Sequence, residues 1–392
     1  MQIAMIDLLA QTPFYDRALA EALVPLVDRL TLYTTRFHYE PNYFKSVEFV
    51  GSRGLLDLSG TMLRRGYLLR RTMRLLEYLL NWQILLRRFQ ASPPDVIHIQ
   101  WVHFLRAPRL LSEMHHIEHL RALNIPVIYT MHNFLPHDSN CEVVAIYQQL
   151  YHSVSYLIVH TRTDQQRALT MGISDRKIAL IPHGPLFADQ FGLTWTQARK
   201  RLQISSNTVM LLMLGVVRPY KGVEETLYAL AQLVEEYPEI CLWVVGNALD
   251  KTYARYLQQL TVKLGLQHHV RWQLSYVPSA AIGQFHAAAD VVLFPYRNIS
   301  QSGAFLTAAA LGKCTLSTRT GGLAEIIRDG ENGIQIAAAE PGAIAEGIRR
   351  CLALSAEQRE SIGLQLRDEI NHLYSWEYIA QETASLYAKA RG

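Results

Sequence analysis

Twelve short runs rich in β-branched and aromatic residues, each followed by a longer segment of helical period, leave this chain few folds to adopt. The runs read QIAMIDL, LTLYTT, VIHIQW, VIYTMH, YLIVHT and IALIPHG in the first half, then VMLLMLG, CLWVVG, VRWQL, VVLFPY, CTLSTR and GIQI in the second. Parallel strands cannot be joined by a tight turn and need a crossover, usually a helix, so strand and helix alternating in this way predicts parallel sheets covered on both faces. The periodicity lapses once, near 186 to 206, where LFADQFGLTWTQ intervenes. With 392 residues, 49% of them hydrophobic, the chain exceeds what one core usually holds. The expected fold class is therefore α/β, with two doubly wound domains at 1–186 and 205–370. A helix over 371–392, around Trp376, is expected to cross back and brace the first domain.

Other classes are excluded on composition. A formal net charge of +4 is small for this length and does not point to nucleic acid. Cys141, Cys241, Cys314 and Cys351 lie far apart and form no CxxC pair, which fits reduced thiols in a cytoplasmic protein rather than a disulfide framework or a zinc ribbon. The N-terminal run QIAMIDLLA has no basic start and no cleavage site, so secretion is not expected. The apolar stretch TVMLLMLGVV is about half the length that a bilayer-spanning helix requires. No GxGxxG follows a strand, which argues against a dinucleotide-dependent dehydrogenase.

Ligands of open parallel sheets bind at the carboxyl ends of strands, where loops meet the positive ends of helices. Two loops there carry chemistry. In LGVVRPYKGVEETLYALAQL, Gly215 permits a turn, and Arg218 and Lys221 precede a helix; two fixed cations suit a diphosphate that gains charge as a glycosidic bond breaks. In PYRNISQSGAFLTAAALGK, Ser302, Gly303 and Ala304 open a helix of small residues, whose N–H groups and dipole attract a phosphate. A solvated Arg/Lys turn and a packing turn are the plain alternatives.

The ordered series FYDRALAEAL, DVIHIQW, YTMHN, IPHG, GVVRPYKG, ADVVLFPY, SQSG, GGLAEIIRDGENG and SWEYIAQETASLY resembles the group 1, family-four-like glycosyltransferases of GT-B fold. The resemblance covers nearly the whole chain. It implies two Rossmann-like domains facing across a cleft, a nucleoside diphosphate sugar as donor, no cofactor and no metal. It assigns the donor diphosphate to Arg218 and Lys221, and His132 to the transferred sugar. The family's two glutamates, eight residues apart, are here Ile299 and Thr307; a threonine hydroxyl gives one ribose contact where a carboxylate gives two. The SQSG variant is similar to a subset associated with bacterial exopolysaccharide assembly, and retention and inversion both stay open. Should the reaction invert, His132, His137 or Asp138 in HNFLPHDS could supply the base at the acceptor hydroxyl. Tyr15, in the loop after the first strand, is expected on the acceptor side. Gly246, Tyr276 and Pro295 are the remaining expected donor contacts, through loop backbone. A non-catalytic GT-B subunit is the alternative from another class.

Two further motifs compete. HHIEH contains H-x-x-E-H, with His115 and His119 one helical turn apart as for zinc. The stripe Leu110, Met114, Ile117 and Leu120 instead predicts a helix that turns His115, His116, Glu118 and His119 outward. No D-x-D occurs, so the usual ligand pair of metal-dependent sugar transfer is missing. From Arg64 to Arg88, seven arginines are opposed only by Glu77 and interleave with leucine and Trp82. That segment predicts either a core-facing helix with a charged outer face or a surface anchor on anionic membrane, near a glycan or lipid-linked glycan acceptor.

Overall fold

The structure, a computed structural model, describes residues 1–45, 47–51, 54–60, 67–103, 105, 113–135, 141–187 and 192–392, with 67–71 described by backbone alone. His137, Asp138 and Leu110, as well as Arg64 and Arg65, lie outside the described residues.

The chain divides into two compact units, Met1–Pro182 with Trp376–Gly392, and His183–Ser375. The first contains β1 (Gln2–Asp7), α1 (Pro13–Leu23), β2 (Arg29–Thr34), α2 (Tyr67–Ala91), β3 (Val96–Ile99), α3 (Glu113–Ala122), β4 (Val127–Thr130), α4 (Cys141–Ser153), β5 (Tyr156–Val159), α5 (Arg162–Thr170) and β6 (Ile178–Leu180). The second contains α6 (Trp195–Leu202), β7 (Val209–Leu214), α7 (Val223–Ala231), β8 (Ile240–Val245), α8 (Lys251–Lys263), β9 (Val270–Gln273), α9 (Ile282–Ala288), β10 (Val291–Phe294), α10 (Gly303–Ala310), β11 (Thr315–Thr318), α11 (Gly321–Ile326), β12 (Ile334–Ile336), α12 (Pro341–Ala353) and α13 (Ala356–Leu373). The last helix, α14 (Trp376–Arg391), belongs to the first unit.

Both sheets are six-stranded, with orders β2-β1-β3-β4-β5-β6 and β12-β11-β10-β7-β8-β9, and every pairing between strands is parallel. Central strands such as β4 and β10 are buried on both faces, which is why they read as continuous apolar runs and not as alternation. In β7 the alternation is between two cores: Leu211 and Met213 join one apolar cluster, Met210 and Leu212 the other. In each sheet the strand order reverses at one place, between β1 and β3 and between β7 and β10. A crevice forms where neighbouring crossovers leave to opposite sides, so these two positions are where ligands are held in such sheets.

Helix α14 is fixed to the first unit by its own chemistry. Ile379, Ala380 and Tyr387 are fully buried, the Tyr387 hydroxyl lies 2.6 Å from His98 Nδ1, and Arg391 pairs with Asp95 at 3.2 Å. The other nitrogen of His98 meets Thr130 Oγ1 at 2.6 Å. Burial, with the nearby His160, lowers the His98 pKa to about 3, so this imidazole is a neutral strut.

Helix α3 departs from the expected stripe. Met114, Ile117 and Leu120 face the core, but so does His116, which is 1% exposed and stacks on Trp82 of α2 at 5.1 Å. Burial lowers its pKa to about 4, with His115 and His119 adding to the effect. The reason is the neighbouring helix: a flat indole offers an apolar surface that a neutral imidazole can cover. His119 donates back to the His115 carbonyl at 2.9 Å. Among the described residues no group of three His, Cys, Asp or Glu side chains is placed to hold a metal ion.

Helix α2 also turns its tryptophan inward. Trp82, Tyr78, Leu85 and Phe89 are core residues, and the buried Glu77 accepts from the Leu58 and Ser59 N–H groups at 2.6 and 2.8 Å. Leu75, Leu76, Leu80 and Arg87 remain on the outer face. Among the described residues, no helix is long and apolar enough to cross a membrane.

Candidate donor site and histidine face

The reversal between β7 and β10 brings together the two loops singled out in the sequence. After β7, Gly215 has φ +122°, and a Cβ there would lie 2.5 Å from Lys221 Nζ, so the ammonium folds back over the glycine. Gly246, after β8, has φ +141°, and a Cβ would meet the Gly215 carbonyl oxygen at 2.1 Å. Gly222, at φ +74°, sits equally close to the Pro295 carbonyl oxygen. The contacts of Gly246 and Gly222 are backbone against backbone, which only glycine allows. The Arg297 N–H donates to the Tyr220 carbonyl at 2.8 Å, tying the loop after β10 to the loop after β7.

The charges at this junction are uncompensated. Arg218 is exposed, and neither its guanidinium nor the Lys221 ammonium makes an ion pair or side-chain hydrogen bond among the described residues. Lys221 is half-buried, with Nζ 5.5 Å from the centroid of the Tyr296 ring. Burial, and then the neighbouring Arg218, lowers its pKa to about 8. An anion beside it would reverse both effects.

At the start of α10 the donors can be accounted for one by one. The Ser302 hydroxyl caps the helix by accepting from the Phe305 N–H at 3.1 Å, and the Ser302 N–H donates to Gln301 Oε1 at 2.9 Å. The Leu306 N–H returns to the Ser302 carbonyl. The Gly303 and Ala304 N–H groups have no acceptor among the described residues, so two donors with the helix dipole behind them remain for an anion. The side of Gly303 on which a Cβ would project is occupied by Leu186 at 3.0 Å and His183 at 3.3 Å, so glycine is also demanded by the packing of that segment.

Thr307 and Ile299 are placed differently from a ribose-binding pair. Thr307 is 2% exposed, and its hydroxyl is committed to the carbonyls of Gly303 and Leu186, both at 2.7 Å. Ile299 is buried in the apolar cluster with Phe294 and Phe305. Pro295 is buried against Gly222, and Tyr276 is half-buried in the loop after β9, two strands from β7.

In the first unit, His132 follows β4. It stacks on Trp101 at 5.4 Å, meets the edge of Tyr15 at 4.7 Å, and its Nε2 lies 3.1 Å from Gln100 Oε1. An amide oxygen can only accept, so Nε2 carries the proton and Nδ1 is the basic nitrogen. Tyr15, expected as an acceptor contact, is 2% exposed and packs between His132 and Trp376, so it forms the wall behind the histidine. His160, also buried, lies 5.5 Å from His132 and donates from Nδ1 to the Ile181 carbonyl at 2.8 Å; burial lowers its pKa to about 4. Gln100, Trp101 and His160 were not singled out in the sequence, though all three lie just past the ends of strands next to β1 and β4.

The comparisons with known proteins bear on the family and the fold. Residues 196–368 match the family Glycosyl transferases group 1, and residues 15–184 match the Glycosyl transferase 4-like domain. An uncharacterized glycosyltransferase of Methanocaldococcus jannaschii is 26% identical over 301 residues, 75% of each chain. The D-inositol 3-phosphate glycosyltransferase of Geodermatophilus obscurus is 28% identical over 62% of this chain and 54% of its own, so this chain spans about half the length of that relative. Among solved structures, Anabaena HepE in complex with UDP and glucose superposes with a TM-score of 0.75 at 18% identity, over 99% of this chain and 100% of HepE. That likeness establishes the GT-B fold. The chain belongs to the group 1, family-4-like glycosyltransferases and is an enzyme that transfers a glycosyl group from a nucleotide-sugar donor.

Proposed function

We propose that the enzyme transfers a hexose from a nucleoside diphosphate sugar to a glycan or lipid-linked glycan hydroxyl in bacterial surface or exopolysaccharide assembly, without a metal. Arg218, Lys221 and the Gly303 and Ala304 N–H groups hold the diphosphate, and His132 contacts the transferred sugar. The observation that carries this reading is the pair of uncompensated cations beside two unengaged helix-terminal N–H groups at one strand-order reversal. Fixed cations of this kind supply the charge that a bound metal would otherwise bring to the leaving diphosphate. HepE was solved with UDP-glucose, which makes uridine diphosphate sugars the first donors to test.

The test is nucleoside diphosphate release from UDP-, GDP- and ADP-sugars in the presence of EDTA, comparing wild type with Lys221→Ala. Release from one donor that is abolished in the variant supports the reading; release that requires added divalent metal sinks its metal-independence.

The enzyme works at the cytoplasmic face of the membrane, with α2 on anionic lipid. Exposed Leu75, Leu76 and Leu80 beside Arg87 support this placement. Co-sedimentation with phosphatidylglycerol vesicles at low salt is expected, weakened by Leu76→Ser with Arg87→Gln; equal binding by wild type and variant would overturn it.

A further inference from the structure

The strand-order reversal of the first unit, between β1 and β3, holds an arrangement that the proposed donor chemistry does not use. Asp7, the last residue of β1, and Asp16, in the first turn of α1, are both fully buried. Asp7 Oδ2 accepts from the Gln11 and Thr12 N–H groups at 2.6 and 3.0 Å, and Asp16 Oδ1 accepts from the Thr12 hydroxyl at 3.2 Å. The other two oxygens, Asp7 Oδ1 and Asp16 Oδ2, are buried with no donor among the described residues, and both carboxyl groups are held on Thr12, Asp7 by its N–H and Asp16 by its hydroxyl. Two carboxylates cannot both be charged in such a place.

We propose that Asp7 and Asp16 bind one proton between them, carried on Asp16, and that the pair are positioning residues that fix the turn over residues 8–12 beneath the histidine face. The proton turns the two orphan oxygens into a donor and an acceptor. Asp7 then keeps its charge for the two N–H groups of the turn, in which Ala10 is held at φ +48°. The Thr12 hydroxyl donates to Asp16 and accepts from Trp101 Nε1 at 3.0 Å, and the Trp101 ring is the platform on which His132 lies. The acid pair therefore sets the height and tilt of His132, and the functional half of the inference rests on the role proposed for that histidine.

The surrounding groups are consistent with one shared proton. His103 Nε2 faces Asp7 Oδ1 at 4.0 Å; Tyr15 lies next to Asp16 on α1; Tyr78 and Arg74 approach from α2, the latter donating to the Leu9 carbonyl at 2.7 Å; and Glu113 of α3 is itself engaged by Tyr78 and the His103 N–H. Burial raises the Asp16 pKa well above the carboxylate range, and the charge of Asp7 adds to it. Burial also acts to raise Asp7, but the neighbouring His103 and Asp16 and the bond from the Thr12 N–H outweigh it and the net shift is downward.

Infrared spectra of the full chain in D2O at neutral pH should show the carbonyl stretch of a protonated carboxylic acid, lost in both Asp16→Asn and Asp16→Ala. Asp16→Ala should lower kcat/KM for the nucleotide-sugar donor by about tenfold or more, the cost of a lost charge-assisted bond beneath the residue that contacts the transferred sugar, with the affinity for UDP, which lacks that sugar, unchanged. Asp16→Asn supplies a neutral donor in place of the proton, so it should restore that kcat/KM and, at saturating donor, where the bound diphosphate keeps Lys221 charged, abolish the decline of wild-type kcat at alkaline pH. The absence of a protonated-acid band in the wild type would overturn the proposal, as would identical pH profiles for wild type and Asp16→Asn. If the wild type turns over no donor, the transferase reading fails while the infrared result still decides the shared proton.

Discussion

The two strand-order reversals solve opposite problems. In the second unit the loops after β7 and β10 are shaped by Gly215, Gly222 and Gly246 and leave Arg218, Lys221 and two helix-terminal N–H groups without an ion pair or acceptor among the described residues. In the first unit the loops after β1, β3 and β4 are filled by side chains that satisfy one another: Trp101 on His132, Gln100 to His132, Asp7 with Asp16. The first arrangement stores unpaired charge and waits for an anion. The second stores packing, and its polar groups point at one another. These are the arrangements the proposed roles require, since a site that binds a diphosphate has to be electrostatically incomplete when empty, whereas a site that aims one imidazole has to be sterically complete.

The sharpest way to break this contrast is to remove a cation. Lys221→Ala is expected to lower donor turnover by about 10² to 10³-fold, the usual effect of deleting one preorganised charge donor, while the melting temperature stays the same or rises because a desolvated cation has been removed. A variant that loses stability instead of turnover would show that the charge is structural.

Gly246→Ala tests the backbone side of the comparison. Its Cβ would collide with the Gly215 carbonyl at a positive φ, so a loss of about 2–4 kcal/mol in denaturant unfolding is expected. A loss under about 1 kcal/mol would mean that the loops after β7 and β8 are looser than their geometry indicates.

Donor binding should also depend on pH with a definite sign. Lys221 is charged below about pH 8 in the empty protein, so affinity should fall as pH rises through that value, by up to about tenfold per unit, until the bound diphosphate itself raises the ammonium pKa. Calorimetry with UDP from pH 6.5 to 9.5 measures it, and the dependence should vanish in Lys221→Ala.

Thr307→Val is the smallest and most discriminating change. Its hydroxyl is committed to the Gly303 and Leu186 carbonyls, so the expected result is a loss of about 1 kcal/mol in stability with donor KM unchanged. A raised donor KM without a stability change would return this residue to the ribose.

Much of the second unit was legible because its chemistry is local. The positive φ of Gly215 and the Lys221 ammonium folded over it arise within one loop, and Gly303 opens its own helix, so residue type marks these positions as candidates. Tyr15, expected on the acceptor side, and His116, expected on the outer face of its helix, are both buried, and Trp82 takes the core-facing one of its two open placements; an aromatic or histidine at the right spacing fits either side of an element, and which side is buried depends on what packs against it. The Ser302 hydroxyl is a helix cap, and the N–H groups without an acceptor among the described residues belong to the next two residues.

The sequence by itself determined the twelve strands, their division into two sheets and the location of the candidate donor loops, since periodicity, glycine and charge are properties of neighbouring residues. Only the tertiary structure decided that the loops after β7 and β10 adjoin, that Thr307 is buried, and that Asp7 meets Asp16 under the platform of His132. Those facts depend on strand order and on contacts between residues distant in the chain, and burial, which sets their protonation and their partners, does not exist until the chain has closed on itself.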